Sequence, residues 1–467
     1  MVRTLPRPTS EFLYHMIANK YDEHGEEFDN DIHDFYKSNK MQPAVYEQKA
    51  KYVRMLKSYL TSSEGVINQM RAVGIEIREL TAFGSFPTAC ATNDSDLDLC
   101  VCASSARKNT MPVTVLQGIF RDLKFNVQSR TFFENSVITN IDFIGSAKVP
   151  IIKFKIDGVP VDLSATLEKA PPRTSLAAKY INAYCQLDDR FPVLVTILKI
   201  WLKSEGCAED HQRDFPNSYS ITLLLIHVLQ WYEILPNLIE TNPETFQVKY
   251  FTDWELADMT KNSFKWPLDE NTVSQHKLKE TSKLTVLQLL HLFAEHYSKT
   301  DLLFQCRFNM RNGEIEDRCG DQSSIRIHDN YDTRNPARSA RTSQEFVGAL
   351  RELCNVIKTP VKDKFDLMMT ITRQKTYIPP VRNFPVNIPP RYLPVQQHNM
   401  NAQLMQEHMR MQHMQYLLQF QQPMHHANGM MMPLPQQAGA GFNRRPPRRE
   451  MQAHVSHWVQ QQQQHPQ

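Results

Sequence analysis

FGSFPTACATNDSDLDLCVC, residues 83–102, places a Gly84-Ser85 pair ten residues ahead of two aspartates set in an apolar run. Alternate side chains of a strand share a face. The run therefore predicts a strand on which Asp96 and Asp98 point one way while Leu97 and Leu99 point into a core. Two neighbouring carboxylates repel each other and are costly to bury as anions. A divalent cation removes that cost. The Gly84-Ser85 turn offers backbone N–H groups and a hydroxyl, donors suited to a phosphate. Metal and phosphate together imply nucleotide chemistry, although a D-x-D pair alone also fits a solvated strand edge.

A third carboxylate strengthens the reading. Residues 149–164, VPIIKFKIDGVPVDLS, read as a hairpin turning at Asp157-Gly158. Ile152, Phe154 and Ile156 alternate with Lys153 and Lys155. On the return strand Asp162 faces opposite to Val161 and Leu163. It can join Asp96 and Asp98 if its strand pairs near theirs; otherwise it is a surface aspartate.

At 467 residues the chain has room for two or three domains. Hydrophobic residues make up 41% and charged residues 22%, an ordinary globular balance. A net charge of +3 gives no argument for nucleic-acid binding, which would need local basic patches. The 8 cysteines include no CxxC pair, so they read as reduced intracellular thiols rather than a disulfide framework or zinc site. The N-terminal MVRTLPRPTSEFLYHM lacks an apolar signal region. ITLLLIHVLQW, from Ile221, is too short to span a bilayer. A soluble protein of the cytoplasm or nucleus is expected.

A short helix is expected around Ser10–Tyr21. From Pro43 to Val73 a helical stripe of Tyr52, Met55, Leu56 and Tyr59 precedes the strands. IEIREL, the D-x-D strand, a helix in VTVLQGIFRDLKF, the strand IDFI and the hairpin make an α+β domain over roughly 45–165. The following segment, to about 360, reads as helical. FPVLVTILKIWLKSEG should start at Pro192 and stop at Gly206. SYSITLLLIHVLQWYEIL is apolar on nearly all sides, which predicts a central buried helix, with Ser218 as a candidate N-cap. TVLQLLHLFAEHYS and SQEFVGALRELCNVI follow. Beyond about residue 375 the chain turns rich in Pro, Gln, Met and His, too poor in apolar residues to offset ordering entropy. MQEHMRMQHMQYLLQF could form a transient docking helix there, and Arg444-Arg445-Pro446-Pro447-Arg448-Arg449 could touch RNA phosphates or only keep the tail soluble.

Gly84-Ser85, Asp96-x-Asp98 and Asp162 resemble the signature of the DNA-polymerase-β-like nucleotidyltransferases. AKVPIIKFKIDGVPVDLS, FPVLVTILKIWLKSEG, NSYSITLLLIHVLQ, TVLQLLHLFAEHYSKTD and HDNYDTRNPARSA then follow in order. Together, over roughly 45–355, they resemble the noncanonical cytoplasmic poly(A) and poly(U) polymerases, nearest the poly(A) subgroup. The resemblance implies an α+β fold: a catalytic palm, mixed sheet with helices, packed on a mostly helical central domain. The implied division is 1–44, an N-terminal lead and helix; 45–165, the palm; 166–365, the central domain with a poly(A)-polymerase-associated segment at about 284–340; and 366–467, a disordered tail.

The resemblance also implies roles. Asp96, Asp98 and Asp162 would be the catalytic, metal-holding carboxylates for two Mg²⁺ or Mn²⁺ ions, hard cations that suit all-oxygen ligands. Gly84, Ser85, Lys199, Lys203 and Ser218 would meet the triphosphate, although lysines four apart on a helix commonly just face solvent. Tyr219 would stack on the base, a contact worth roughly 1–3 kcal/mol. Asp329 and Asp332 would belong to the nucleotide-recognition loop. Poly(U)-adding relatives commonly carry a histidine just before the asparagine of that loop. Here it reads Asp332-Thr333-Arg334-Asn335, which favours ATP.

Three departures stand out. PTACATND after Ser85 has Ala89 and Ala91 where relatives have glycines, restricting the backbone. Arg173 stands where an asparagine usually meets the ribose. His328 and Asn330 replace acidic and proline residues. The expected activity is template-independent addition of adenylates to RNA 3′ ends. The expected partners are an RNA 3′ end, a nucleoside triphosphate and a recruiting RNA-binding protein, with neither DNA nor membrane. The alternatives are a terminal uridylyltransferase and, from another class, a weakly active scaffold of an RNA-regulatory complex. The three carboxylates are expected to converge within ion-sharing distance, facing Lys199, Lys203 and Tyr219 across a cleft.

Overall fold

The computed structural model describes residues 25–126, 136–167, 173–207, 215–246, 270–277, 279–317, 324–332, 334–338, 340, 344–358, 368 and 371–372. The helix expected at Ser10–Tyr21, the tail helix and the arginine cluster all lie outside these residues, as does the side chain of Arg173. The elements that matter run α1 (Gly25–Asn39), α2 (Pro43–Ser62), α3 (Glu64–Ala72), β1 (Ile75–Phe83), β2 (Leu97–Ser105), α4 (Pro112–Asn126), β3 (Ile138–Ile144), β4 (Ile151–Ile156) and β5 (Val159–Thr166). Then come α5 (Arg173–Leu187), α6 (Arg190–Leu202), α7 (Ser218–Trp231), α8 (Val286–Tyr297), strands β6 (Cys306–Asn309), β7 (Glu314–Asp317) and β8 (Arg326–His328), and α9 (Gln344–Lys358).

The fold is mixed α+β. A five-stranded sheet has the order β1-β2-β5-β4-β3. Only the β2–β5 pair is parallel; the other three pairs are antiparallel. The hairpin turns where the sequence demands it: Asp157 and Gly158 have φ of 48° and 86°, both left-handed. The Asp157 carboxylate accepts from the Val137 N–H at 2.7 Å and the Tyr52 hydroxyl at 3.0 Å, fixing the turn from two sides.

Alternation along β2 sets the chemistry. Leu97, Leu99 and Val101 are fully buried under α2, α3 and α4, each burial contributing about 1.5–3 kcal/mol. That burial forces Asp98 onto the opposite face. On α2 the buried stripe is Lys49, Tyr52, Leu56, Tyr59 and Leu60, with Met55 only partly buried.

A second core belongs to the helices. α7 is buried on every side from Ser220 to Trp231. Its N-cap is Asn217 rather than Ser218, with the Asn217 Oδ1 accepting from the Ser220 N–H at 2.8 Å. α6 starts at Arg190, two residues before Pro192, and runs on past Leu202 into a π turn over Lys203–Cys207. A π turn inserts one residue per turn and re-aims the side chains beyond it. Ile32 of α1 and Cys90 of the Ser85–Asp96 loop both pack into this helical core, while α2 and α3 pack into the sheet core. No helix among the described residues is long and apolar enough to cross a membrane.

Candidate active site

The strand register carries the acidic cluster. In the parallel β2–β5 pair, Asp98 lies directly opposite Asp162, and neighbouring strands run about 4.8 Å apart. Asp96 stands exposed one residue before β2 begins. The three carboxylates feel one another. Burial, then the charges of Asp162 and Asp96, push the Asp98 carboxyl up to about 7. Burial and Asp162 also raise Asp96. Lys153, next door on β4, places its Nζ 3.1 Å from Asp162 Oδ2.

Gly84 floors this cluster. Its φ is +67°, and a Cβ there would stand 2.0 Å from Asp98 Oδ2. Glycine is required on both counts. Ser85 follows in a turn whose carbonyl accepts from the N–H and hydroxyl of Thr88 at 2.9 and 2.8 Å. Ala89 and Ala91 do not restrict this loop as their type suggested. Neither has a positive φ, so alanine fits the backbone the loop adopts.

The loop from Ser85 to Asp96 is fastened on many sides. The Tyr36 hydroxyl donates to Ala89 O at 3.1 Å, and the Met41 N–H to Ala91 O at 2.7 Å. Lys49 is 1% exposed, and its Nζ donates to Asn93 O at 3.0 Å and Ser95 O at 2.5 Å. Burial lowers the Lys49 amine, and the charges of Asp94 and Asp96 pull it back. Sequence reading took no note of Lys49. The signal was there: it sits three residues before Tyr52 and seven before Leu56, inside the apolar stripe.

Across the loop stand the two helix lysines. Lys199 Nζ donates to Cys90 O at 3.0 Å, and burial lowers its amine. Lys203, in the π turn, pairs with Asp94 Oδ2 at 2.5 Å on the surface, an exposed pairing of small energetic worth. Both expected triphosphate lysines thus lean on the same loop that joins Ser85 to Asp96.

Ser218 lies exposed at the first position of α7, and Tyr219 beside it is half-buried against the helical core. The Tyr219 hydroxyl donates to Asp329 Oδ2 at 2.9 Å. Asp329 is only 3% exposed and also accepts from the Tyr331 N–H at 3.1 Å. Its carboxyl is raised, chiefly by burial. Asp329 therefore braces Tyr219 from beneath. Asp332 is the reachable carboxylate of that loop and pairs with Arg334 at 2.9 Å. A groove of about 690 Å³ lies elsewhere, lined by Leu60, Val66, Met70, Ile75 and Ser104 at the far end of β2. It contains none of these groups.

Asp96, Asp98 and Asp162 fit hard divalent cations. They offer oxygen ligands only, and burial with the neighbouring charge of Asp162 raises the carboxyls of Asp96 and Asp98. Among the described residues no acidic, imidazole or thiol trio is already gathered closely enough to enclose an ion.

Residues 28–182 match the central palm domain of the mitochondrial-like poly(A) RNA polymerases. The chain is 28% identical over 277 residues to poly(A) RNA polymerase gld-2 of Caenorhabditis elegans, covering 56% of this chain and 23% of that protein. It is 29% identical over 183 residues to human terminal uridylyltransferase 7, covering 38% of this chain and 11% of that protein. The chain thus spans about a quarter or less of these two relatives. A solved GLD-2/RNP-8 complex matches with a TM-score of 0.54 and 20% identity, covering 73% of this chain and 98% of that one. Over residues 28–182 the chain is thus similar to the palm of the noncanonical poly(A)/poly(U) polymerases, and the solved complex shares its fold.

Proposed function

We propose that the protein adds nucleotides, preferentially adenylates from ATP, to RNA 3′ ends without a template. The observation that carries the reading is the parallel register of Asp98 and Asp162 above Gly84, with Asp96 alongside. In the reaction the RNA 3′-hydroxyl oxygen forms a bond to the α-phosphorus. The bond from that phosphorus to the bridging oxygen breaks, and pyrophosphate leaves. Asp96 and Asp98 would hold both of two Mg²⁺ or Mn²⁺ ions, and Asp162 the one on the hydroxyl side. Such ions, when bound, supply the charge that lowers the hydroxyl's pKa and offsets the leaving pyrophosphate.

The chain's own groups do the rest. The Gly84-Ser85 turn presents N–H groups and a hydroxyl to the triphosphate. Lys199 and Lys203 would exchange Cys90 O and Asp94 for phosphate oxygens, stronger acceptors for a cation. Ser218, exposed at the start of α7, offers a hydroxyl to the same phosphates. Tyr219, held by Asp329, provides a face for the base. Asp332, the reachable carboxylate of its loop, would contact the base edge.

ATP is favoured because no histidine stands immediately before Asn335, while the likeness to a uridylyltransferase keeps UTP transfer as the second reading. An RNA-binding partner for recruitment is part of the proposal, supported by the solved relative's being a GLD-2/RNP-8 complex. A cytoplasmic site of action fits mRNA tailing. The test is extension of an RNA primer by the purified chain with each nucleotide and Mg²⁺ or Mn²⁺. ATP-driven extension that Asp98→Ala abolishes is expected. UTP outcompeting ATP would select the second reading. No extension with any nucleotide, with or without an RNA-binding partner, would leave a scaffold.

A further inference from the structure

Two thiols meet where the palm loop touches the helices. Cys90 sits midway in the loop between Ser85 and Asp96, and Cys185 sits near the end of α5. Their Sγ atoms are 3.4 Å apart although the residues are 95 apart in sequence. Both are buried, at 1% and 8% exposure, and both are free thiols. A disulfide holds its sulfurs at about 2.05 Å, so these two thiols already stand within van der Waals reach of bonding. The same residue, Cys90, offers its carbonyl to Lys199 at 3.0 Å. One contact therefore couples the loop, α5 and a proposed triphosphate ligand.

We infer that Cys90 and Cys185 form a reversible disulfide that fastens the loop to α5 and slows nucleotide addition. The slowing rests on the proposed function; the cross-link does not. Cys90 is the attacking thiol. The hydrogen bond from Cys185 lowers it against the opposing effect of burial, and the Lys199 charge adds to the lowering. Burial holds Cys185 up as a protonated thiol. Local opening of the loop, as in sub-global openings generally, would expose Cys90 to a small disulfide such as oxidised glutathione. The Cys90 thiolate attacks one glutathione sulfur and expels a glutathione thiolate. Cys185, losing its proton, then attacks the Cys90 sulfur of the mixed disulfide and expels the second. Two protein thiols are oxidised, one glutathione disulfide is reduced to two glutathiones, and the two protein thiol protons end on those products. In an intracellular protein such a bond is expected to be transient and redox-sensing rather than structural.

Closing the bond would pin Cys90 against α5. Lys199 must release the Cys90 carbonyl to reach a phosphate, and the loop must yield as substrate enters and product leaves. Loop motions of this kind set the turnover of many enzymes.

The experiment treats the full chain with oxidised glutathione, alkylates remaining thiols, digests without reductant and maps linked peptides by mass spectrometry. A Cys90–Cys185 peptide that disappears with dithiothreitol is expected. Primer extension by the oxidised protein should fall at least about fivefold and recover on reduction. Cys185→Ser, or Cys185→Ala if the serine variant fails to fold, should keep the reduced enzyme's rate and lose the sensitivity. Oxidation that yields only glutathione adducts or other pairings overturns the cross-link. A linked peptide with unchanged extension overturns the slowing. If the reduced protein extends nothing, the proposed function has failed, while the peptide map still decides the cross-link.

Discussion

Replacing Asp98 by asparagine should stabilise the metal-free protein while abolishing its activity. Asp98 is held in place by the burial of Leu97, Leu99 and Val101, not by any benefit to its own charge. Burial, Asp162 and Asp96 raise its carboxyl from 3.8 to about 7. Three units at 1.36 kcal/mol each set a ceiling of about 4 kcal/mol. The folded state binds the proton more tightly than the unfolded chain, so stability falls as pH rises from about 4 to about 7. Below pH 4 Asp98 is protonated in both states, and the cost vanishes. Asp98→Asn removes the ionisation and relieves the repulsion on Asp96 and Asp162. Urea unfolding in chelator should show Asp98→Asn more stable than wild type at pH 8, by at most about 4 kcal/mol, with no gain at pH 3.5. Adding Mg²⁺ should stabilise the wild type by mass action and leave the variant nearly unmoved. A variant less stable than wild type at pH 8 in chelator, or a gain independent of pH, would refute the account of the cluster.

Gly84→Ala should damage both fold and site. A left-handed alanine costs about 1–2 kcal/mol, and its Cβ would displace the Asp98 carboxylate. Misplacing a reacting group by about 1 Å can cost about a hundredfold in rate, so primer extension should fall at least that far; wild-type kinetics would contradict it. Lys49→Met strips the donor from two loop carbonyls. The expected loss is about 1–3 kcal/mol in urea unfolding, with slower extension as the loop before Asp96 loosens. Unchanged stability and rate would show that Lys49 does not anchor the loop.

The parts of the site legible in sequence were those that local periodicity controls. Period-two alternation put Asp98 opposite Leu97 and Leu99, and Asp157-Gly158 announced the hairpin that carries Asp162. Nothing local could say that β2 and β5 run parallel with Asp98 opposite Asp162, because their register is set across a 64-residue separation. Asp329 was read as part of a nucleotide-recognition loop, and its bond to Tyr219, 110 residues away, is not a local feature. Lys49 was overlooked for a different reason: lysine on a helix ordinarily means solvent, and only its place in the apolar stripe argued otherwise.

The Ser85–Asp96 loop shows how residue type can mislead about function. Alanines in place of glycines suggested a stiffer, less competent phosphate loop. The backbone they occupy needs no positive φ, so the substitution carries no conformational penalty. The loop differs instead in its attachments: α1 holds it at Ala89, Lys49 at Asn93 and Ser95, and Lys199 at Cys90. A phosphate loop with glycine freedom would be shaped by its ligand. This loop is shaped by the helices around it, so on the proposed reading the binding energy of a triphosphate would be set against contacts that already exist. Lys199 and Lys203 would exchange protein oxygens for phosphate oxygens, which makes substrate affinity a difference between two sets of hydrogen bonds. Changes in the loop's polar partners, Lys49 included, should therefore act on nucleotide affinity and turnover without touching a single acidic residue.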